Sequence, residues 1–368
     1  MKSFLAILLA TATAALAEPE IKPLAIGAAA PDFTLPGVDG RDWSLKDFAA
    51  AKALVVVFTC VHCPTAQAYE DRLKKLVADT KARGVALVAI SPNDPRSVRL
   101  DELGYTDLGD SFDDMKKRAA DKAFNFPYLY DGDKGDVSRA YGPLATPHAF
   151  LFDAERKLRY VGRIDDSERE KGVQRRDLAE AIDSVLAGHP VSEPQTKVFG
   201  CSIKWAGKQE QVKRFMEKLA NEPVSIELAD AAALGALRKG EGKKVRLVNF
   251  WATWCGPCVA EFPELIEIHR MYRKRAFEFV TVSANFPNEK SEVLKFLEKM
   301  QASGRNLLFG SDDKFAMFAA FDKDLDGQLP VTLLLSPAGD VLYRRAGRID
   351  AMELKREILK AIGREMEK

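Results

Sequence analysis

Two Cys-x-x-Cys pairs, each at the end of an apolar run that reads as a buried strand, restrict this chain more than any other feature. The first lies in Leu54-Val55-Val56-Val57-Phe58-Thr59-Cys60-Val61-His62-Cys63-Pro64. The second lies in Val245-Arg246-Leu247-Val248-Asn249-Phe250-Trp251-Ala252-Thr253-Trp254-Cys255-Gly256-Pro257-Cys258. A strand that ends in a Cys and turns at once into a helix sets that thiol over unsatisfied N–H groups and the positive end of the macrodipole, which favour a thiolate. A second Cys three residues on lies one turn away and can close a disulfide on the first. The pattern points to dithiol–disulfide exchange. Cys60 and Cys255 are the expected nucleophiles, and Cys63 and Cys258 the thiols that resolve a mixed disulfide. Two static disulfides, or one zinc held by four Cys, are the competing readings. Zinc-binding pairs usually sit in Gly-rich turns, whereas these follow apolar strands, so no metal is expected.

The pairs belong to a repeat on the scale of a domain. After the first come Thr146-Pro147-His148-Ala149-Phe150-Leu151-Phe152 and Gly162-Arg163-Ile164-Asp165. After the second come Leu329-Pro330-Val331-Thr332-Leu333-Leu334-Leu335 and Gly347-Arg348-Ile349-Asp350. The matching landmarks are offset by roughly 185 to 195 residues, far beyond a solenoid period, so a whole domain is duplicated. Amphipathic stretches alternate with short β-rich runs in both halves, the pattern of an α/β fold. The stretch from Gln209 to Ala220, followed by Asn221-Glu222-Pro223, reads as the junction.

At 368 residues the chain has room for two cores. Lys+Arg 55 against Asp+Glu 54 leaves a net charge of +1, which carries no electrostatic footprint for nucleic acid or an anionic membrane. Met1-Lys2-Ser3, an apolar stretch from Phe4 to Leu16 and the finish Ala15-Leu16-Ala17 read as a secretory signal peptide cleaved after Ala17. The stretch is shorter than the roughly 20 apolar residues a membrane span needs, so no stable membrane insertion of the mature chain is expected. The expected setting is the periplasm or cell envelope, or secretion, where disulfides persist.

Both halves resemble thioredoxin-fold domains, and together the resemblance covers nearly all of the mature chain. The second half resembles the TlpA/ResA-like extracytoplasmic thioredoxins, through Asn249-Phe250-Trp251-Ala252-Thr253-Trp254-Cys255-Gly256-Pro257-Cys258 and Glu261-Phe262-Pro263. The first is similar to the redoxin branch of the AhpC/TSA superfamily, through Ala30-Pro31-Asp32-Phe33-Thr34-Leu35-Pro36-Gly37 and its Cys-x-x-Cys. It departs from true peroxiredoxins, which carry their reactive Cys in Pro-x-x-x-Thr-x-x-Cys, because Val57 holds the Thr position and no Pro precedes it. The implied plan is a signal peptide over 1–17, an AhpC/TSA-like domain over 19–207, a linker over 208–221 and a TlpA/ResA-like domain over 222–368. Each domain is expected to be a central mixed sheet flanked by helices.

The resemblance also implies site residues. Pro147 and Pro330 match the cis-proline that faces the Cys pair in thioredoxin folds, so Thr146-Pro147 and Leu329-Pro330 would offer a backbone edge to an extended substrate. Glu261 falls where TlpA/ResA-like proteins carry a buried carboxylate, and would handle the proton of Cys258. His62 can stabilise the Cys60 thiolate by charge. Cys201, the odd thiol, is either a small buried residue or a third redox thiol able to reach Cys60 or Cys63. Asp322-Lys323-Asp324-Leu325-Asp326-Gly327 imitates the start of a calcium loop, but Leu333 stands where its final Glu belongs. The expected function is an exported thiol–disulfide oxidoreductase serving redox homeostasis. It needs no cofactor and exchanges with protein dithiols or disulfides and a thiol electron donor. The alternatives are a thiol peroxidase whose second domain re-reduces the first, and a non-enzymatic binding module with structural disulfides.

Overall fold

The computed structural model describes residues 21–240 and 242–364; the expected signal segment, 1–17, lies outside them. The first half opens with β1 (Thr34–Pro36), β2 (Asp42–Ser44), β3 (Ala53–Phe58), α1 (Pro64–Thr80) and β4 (Val85–Ser91). It continues with α2 (Phe112–Asp121), β5 (Tyr128–Tyr130), α3 (Asp136–Tyr141), β6 (His148–Phe152), β7 (Leu158–Gly162) and α4 (Asp177–Leu186). Helix α5 (Gln209–Ala220) leads onward to β8 (Glu227–Ala229), α6 (Ala231–Lys239), β9 (Val245–Trp251), α7 (Gly256–Tyr272) and β10 (Phe277–Ser283). The described residues finish with α8 (Lys290–Lys299), β11 (Arg305–Phe309), α9 (Lys314–Phe321), β12 (Val331–Leu335), β13 (Val341–Ala346) and α10 (Ala351–Ile362).

The same mixed sheet is built twice. In the first half the order is β5-β4-β3-β6-β7, with β3, β4 and β5 mutually parallel, β6 antiparallel to β3 and β7 antiparallel to β6. In the second it is β13-β12-β9-β10-β11-β8, again with the strand before the Cys pair flanked by one parallel and one antiparallel neighbour. A central strand covered on both faces is largely apolar, and any polar side chain in it needs a partner, as Asn249 of β9 has in Glu261 and Thr332. Ala53–Phe58 accordingly is buried at every position, as is Val245–Trp251. Tyr69 and Leu73 of α1 and Leu178 and Ile182 of α4 close one face of the first sheet against Val55 and Val57. Each large apolar chain so buried contributes roughly 1.5–3 kcal/mol.

The halves share an interface built on residues 100–107. Leu100 and Leu103 pack against the core that α7 and α10 cover. Tyr272 Oη donates to Thr106 O at 2.8 Å, and Arg275 donates to Gly104 O at 2.7 Å. Asp107, almost wholly buried, is held by Arg356 at 3.1 Å and Arg364 at 2.8 Å. Three residues further along the chain this segment delivers Asp110 to the first Cys pair.

Candidate active sites

Both Cys pairs follow a central strand, but the helix starts at different points within them. In the second half α7 begins at Gly256, and its N-cap is Cys255, the first Cys of the pair. In the first half α1 begins at Pro64, and its N-cap is Cys63, the second Cys. Cys60 therefore does not lie over the helix N-terminus, which corrects the placement expected of it. Proline placement explains the shift, because proline suits the first helical turn, where its missing N–H costs nothing. Pro64 stands directly after the second Cys, whereas Pro257 stands directly before it.

Asp110 fixes the turn that the later start leaves behind. One carboxylate oxygen accepts the backbone N–H groups of Val61 and His62, each at 2.9 Å. The other lies 2.5 Å from His62 Nδ1 and accepts Asn93 Nδ2 at 2.7 Å. Burial works against charge on Asp110, but the His62 ring and these donors outweigh it and hold the carboxyl below its usual range. Burial also disfavours a charged His62, and Asp110 overcomes it, raising the imidazole pKa. The result is a buried ion pair beside the thiols.

The sulfur that benefits is Cys63. Burial alone would raise its pKa, but hydrogen bonds from the Cys201 and Cys60 thiols, the His62 charge and the Ala66 N–H (3.4 Å) bring it well below the ordinary thiol value. Cys60 moves the other way, raised by burial, by the Cys63 sulfur and by the Asp110 charge. His62 thus lowers Cys63, the second Cys, whereas the sequence expectation set it on Cys60, whose leading causes all raise it. Cys60 Sγ lies 3.2 Å from Thr146 Oγ1.

Thr146-Pro147 and Leu329-Pro330 are both cis. The edge at Thr146 is already taken, because Thr146 N donates to Cys201 O at 3.0 Å and Cys201 N donates to Thr146 O at 3.2 Å. That bridge sets the Cys201 thiol against Cys63, and its own pKa is raised first by the hydrogen bond to Cys63 and then by burial. Gly200 permits the approach: its φ is +145°, and a Cβ there would fall 2.1 Å from Thr146 O. Among the described residues, no segment forms such a bridge with Leu329.

The second site holds a Cys255–Cys258 disulfide, with Cys258 N donating to Cys255 Sγ at 3.3 Å. Glu261 follows one turn on and is wholly buried. Its carboxylate accepts Asn249 Nδ2 at 3.0 Å and Ile349 N at 2.9 Å, and Asn249 also donates to Thr332 Oγ1 at 3.0 Å. Burial raises the Glu261 pKa despite these bonds. Next to Cys255, Trp254 is 59% exposed, and Lys314 Nζ lies over both Trp254 and Phe286.

Asp110 and Asn93 carry no sequence signal, since nothing local to either residue marks it as a partner of His62. Pro64 is the signal that could have located the helix start. Among the described residues the one cluster with spacing suited to a metal is Cys60, His62 and Asp110, and Asp110 there is already engaged by His62, Asn93 and two backbone N–H groups. No helix among the described residues is long and apolar enough to cross a membrane.

Residues 26–161 match the AhpC/TSA family and residues 223–358 match Redoxin. Among curated relatives, the thiol-disulfide oxidoreductase ResA of Geobacillus kaustophilus is 32% identical over 117 residues, which cover 32% of this chain and 62% of that protein. ResA of Halalkalibacterium halodurans is 30% identical over 146 residues, covering 40% of this chain and 71% of that protein. The thiol:disulfide interchange protein DsbE of Allochromatium vinosum is 31% identical over 121 residues, covering 33% of this chain and 61% of that protein.

Proposed function

Because the chain belongs to the AhpC/TSA and redoxin families of thioredoxin-fold proteins, we propose that it is a thiol–disulfide oxidoreductase with two dithiol sites. Protein disulfides, or small-molecule ones, are its substrates, and a thiol donor is its partner. The observation that carries this reading is Cys255 at the N-cap of α7, disulfide-bonded to Cys258 and followed by a buried carboxyl at Glu261.

In the reduced second site, the Cys255 thiolate attacks a substrate disulfide and one substrate sulfur leaves as a thiolate. Cys258 then attacks Cys255 Sγ, which closes the protein disulfide and releases the other substrate sulfur. Glu261, one turn beyond Cys258, takes the proton of that second thiol, and its raised pKa suits a group that must both accept and return it. Trp254 and the cis edge at Leu329-Pro330 receive an extended substrate. Export fits the Lys2 start, the apolar run and Ala15-Leu16-Ala17.

Insulin reduction driven by dithiothreitol tests the reading on the full chain. Parent protein is expected to accelerate it, and Cys255→Ser to lose the share of that rate that runs through the second site while remaining folded. Parent activity no greater than dithiothreitol alone, or full activity in Cys255→Ser, would contradict it. Consumption of hydrogen peroxide without disulfide reduction would replace it with the peroxidase alternative.

A further inference from the structure

The segment Gly200-Cys201 lies where an extended substrate is expected to lie, paired through both backbone groups of Cys201 with the residue before the cis-proline. It brings a thiol with it. Cys60, Cys63 and Ala66 form one small buried cluster, and Cys201 packs against it. Cys63 Sγ donates to Thr146 O at 3.4 Å, the same carbonyl that accepts Cys201 N, so Cys63 sits between Cys60 in its cluster and the Cys201 bridge. Cys60 and Cys63 are buried, whereas Cys201 is partly exposed.

We propose that Cys201 is the outer thiol of a three-cysteine relay, that Cys63 is the sulfur it shares with Cys60, and that the Cys63–Cys201 disulfide is the form that exchanges with an outside dithiol. The proposal rests on the oxidoreductase reading above and adds the route by which the first site communicates with its partner.

The steps balance. Starting from a Cys60–Cys63 disulfide, the Cys201 thiolate attacks Cys63 Sγ. The Cys60–Cys63 bond breaks, a Cys63–Cys201 bond forms, and Cys60 leaves as a thiolate that takes the proton Cys201 gave up. No net oxidation occurs. An outside dithiol then attacks with one thiolate at Cys201 Sγ, the more exposed sulfur. The electron pair of the Cys63–Cys201 bond goes to Cys63, which the helix N-terminus, the Ala66 N–H and His62 stabilise as a leaving group; a stabler thiolate leaves faster. The donor's second thiolate attacks the mixed disulfide and frees Cys201, which is then protonated. The donor loses two electrons and the first site gains two. Cys201 also occupies the Thr146 edge, so an extended protein strand cannot pair there while the segment is in place.

Disulfide mapping of the full chain tests this. The reduced protein is oxidised with limiting glutathione disulfide, free thiols are alkylated, and linked peptides are identified by mass. Cys60→Ser is expected to close Cys63–Cys201 and Cys201→Ser to close Cys60–Cys63, while Cys63→Ser closes neither pair and leaves Cys60 and Cys201 unlinked. Gly200→Ala, which pushes the segment off Thr146 without touching a thiol, is expected to lower the Cys63–Cys201 yield about tenfold and leave Cys60–Cys63 unchanged. The Cys255–Cys258 peptide in the same digest and the far-ultraviolet circular dichroism establish that each variant is folded. No Cys63–Cys201 link in folded Cys60→Ser, or a Cys60–Cys201 link in Cys63→Ser formed as readily as the parent's own disulfide, overturns the relay. In that case a Cys60–Cys63 disulfide in the parent leaves the oxidoreductase reading intact. If no disulfide forms among the three thiols, both the relay and the first site's redox role fail.

Discussion

The two Cys pairs follow the same strand of the same sheet and yet arrange their thiols differently. At the second, the helix starts on the first Cys, the pair is the disulfide, and the proton group is a carboxyl buried beneath it. At the first, the helix starts three residues later relative to the pair, so its N-terminus serves Cys63. The turn left behind is held by Asp110, and a third thiol covers the cis-proline edge. The second site presents exposed aromatic surface at Trp254, while the first turns inward. The comparison teaches that a Cys-x-x-Cys spacing does not by itself say which sulfur the helix stabilises; the start of the helix does.

The contrast breaks most visibly at Asp110. Asp110→Asn leaves His62 without its buried partner, and removing one member of such a pair costs about 3–5 kcal/mol. Chemical denaturation is expected to show a loss of that order, with no comparable loss for Glu261→Gln. The pH dependence has a definite sign. Asp110 is depressed in the folded chain, so its contribution is present above the unfolded carboxyl value of about 3.9 and lost as pH falls through the folded one. His62 is raised, so its contribution is present below about 6.5 and lost as pH rises through the folded value. Stability from the pair is therefore complete between about pH 4 and 6.5, and Asp110→Asn should flatten both flanks.

At the second site the raised Glu261 gives the opposite behaviour to Asp110. The folded chain holds that proton more tightly, so the contribution is present below about pH 4.3 and lost as pH rises through the folded value. Glu261→Gln is expected to abolish this slope, gaining about 1.4 kcal/mol at neutral pH for each unit by which the carboxyl was raised. It should also slow resolution by Cys258 in a stopped-flow mixed-disulfide assay. A parent chain whose denaturation midpoint does not fall from pH 4 to pH 7 relative to Glu261→Gln would remove the carboxyl from the account.

The smallest expected effect on stability is at Trp254. The side chain is exposed, so Trp254→Ala should shift denaturation by no more than about 0.5 kcal/mol. Insulin reduction through Cys255 should nonetheless weaken several-fold, through KM more than kcat. The same change should leave disulfide formation among Cys60, Cys63 and Cys201 untouched, which sharpens the separation of the two sites.

Much of this was legible in the residues. The repeated Pro-strand-strand-Gly-Arg-Ile-Asp plan follows from local chemistry, and the two matching sheets carry it. Glu261 could be assigned to Cys258 because it follows one turn on in the same helix. Asp110 could not: 48 residues separate it from His62, and it sits at the end of a segment whose residues 104–107 are held by Tyr272, Arg275, Arg356 and Arg364 of the other half. The Thr146–Cys201 bridge is likewise a tertiary event, without local periodicity. Pro64 marks the start of α1, although the two Cys pairs share one spacing.

The account stands on the assignment of the thiolate to Cys63 in one half and Cys255 in the other. Titration of thiolate ultraviolet absorbance in the fully reduced full-length chain, compared with Cys60→Ser, Cys63→Ser, Cys201→Ser and Cys255→Ser, reads that assignment directly. Loss of a thiolate step below the ordinary thiol range, about 8.5, is expected in Cys63→Ser and Cys255→Ser, with both steps kept in Cys60→Ser and Cys201→Ser. A low step that disappears in Cys60→Ser and survives in Cys63→Ser would contradict it.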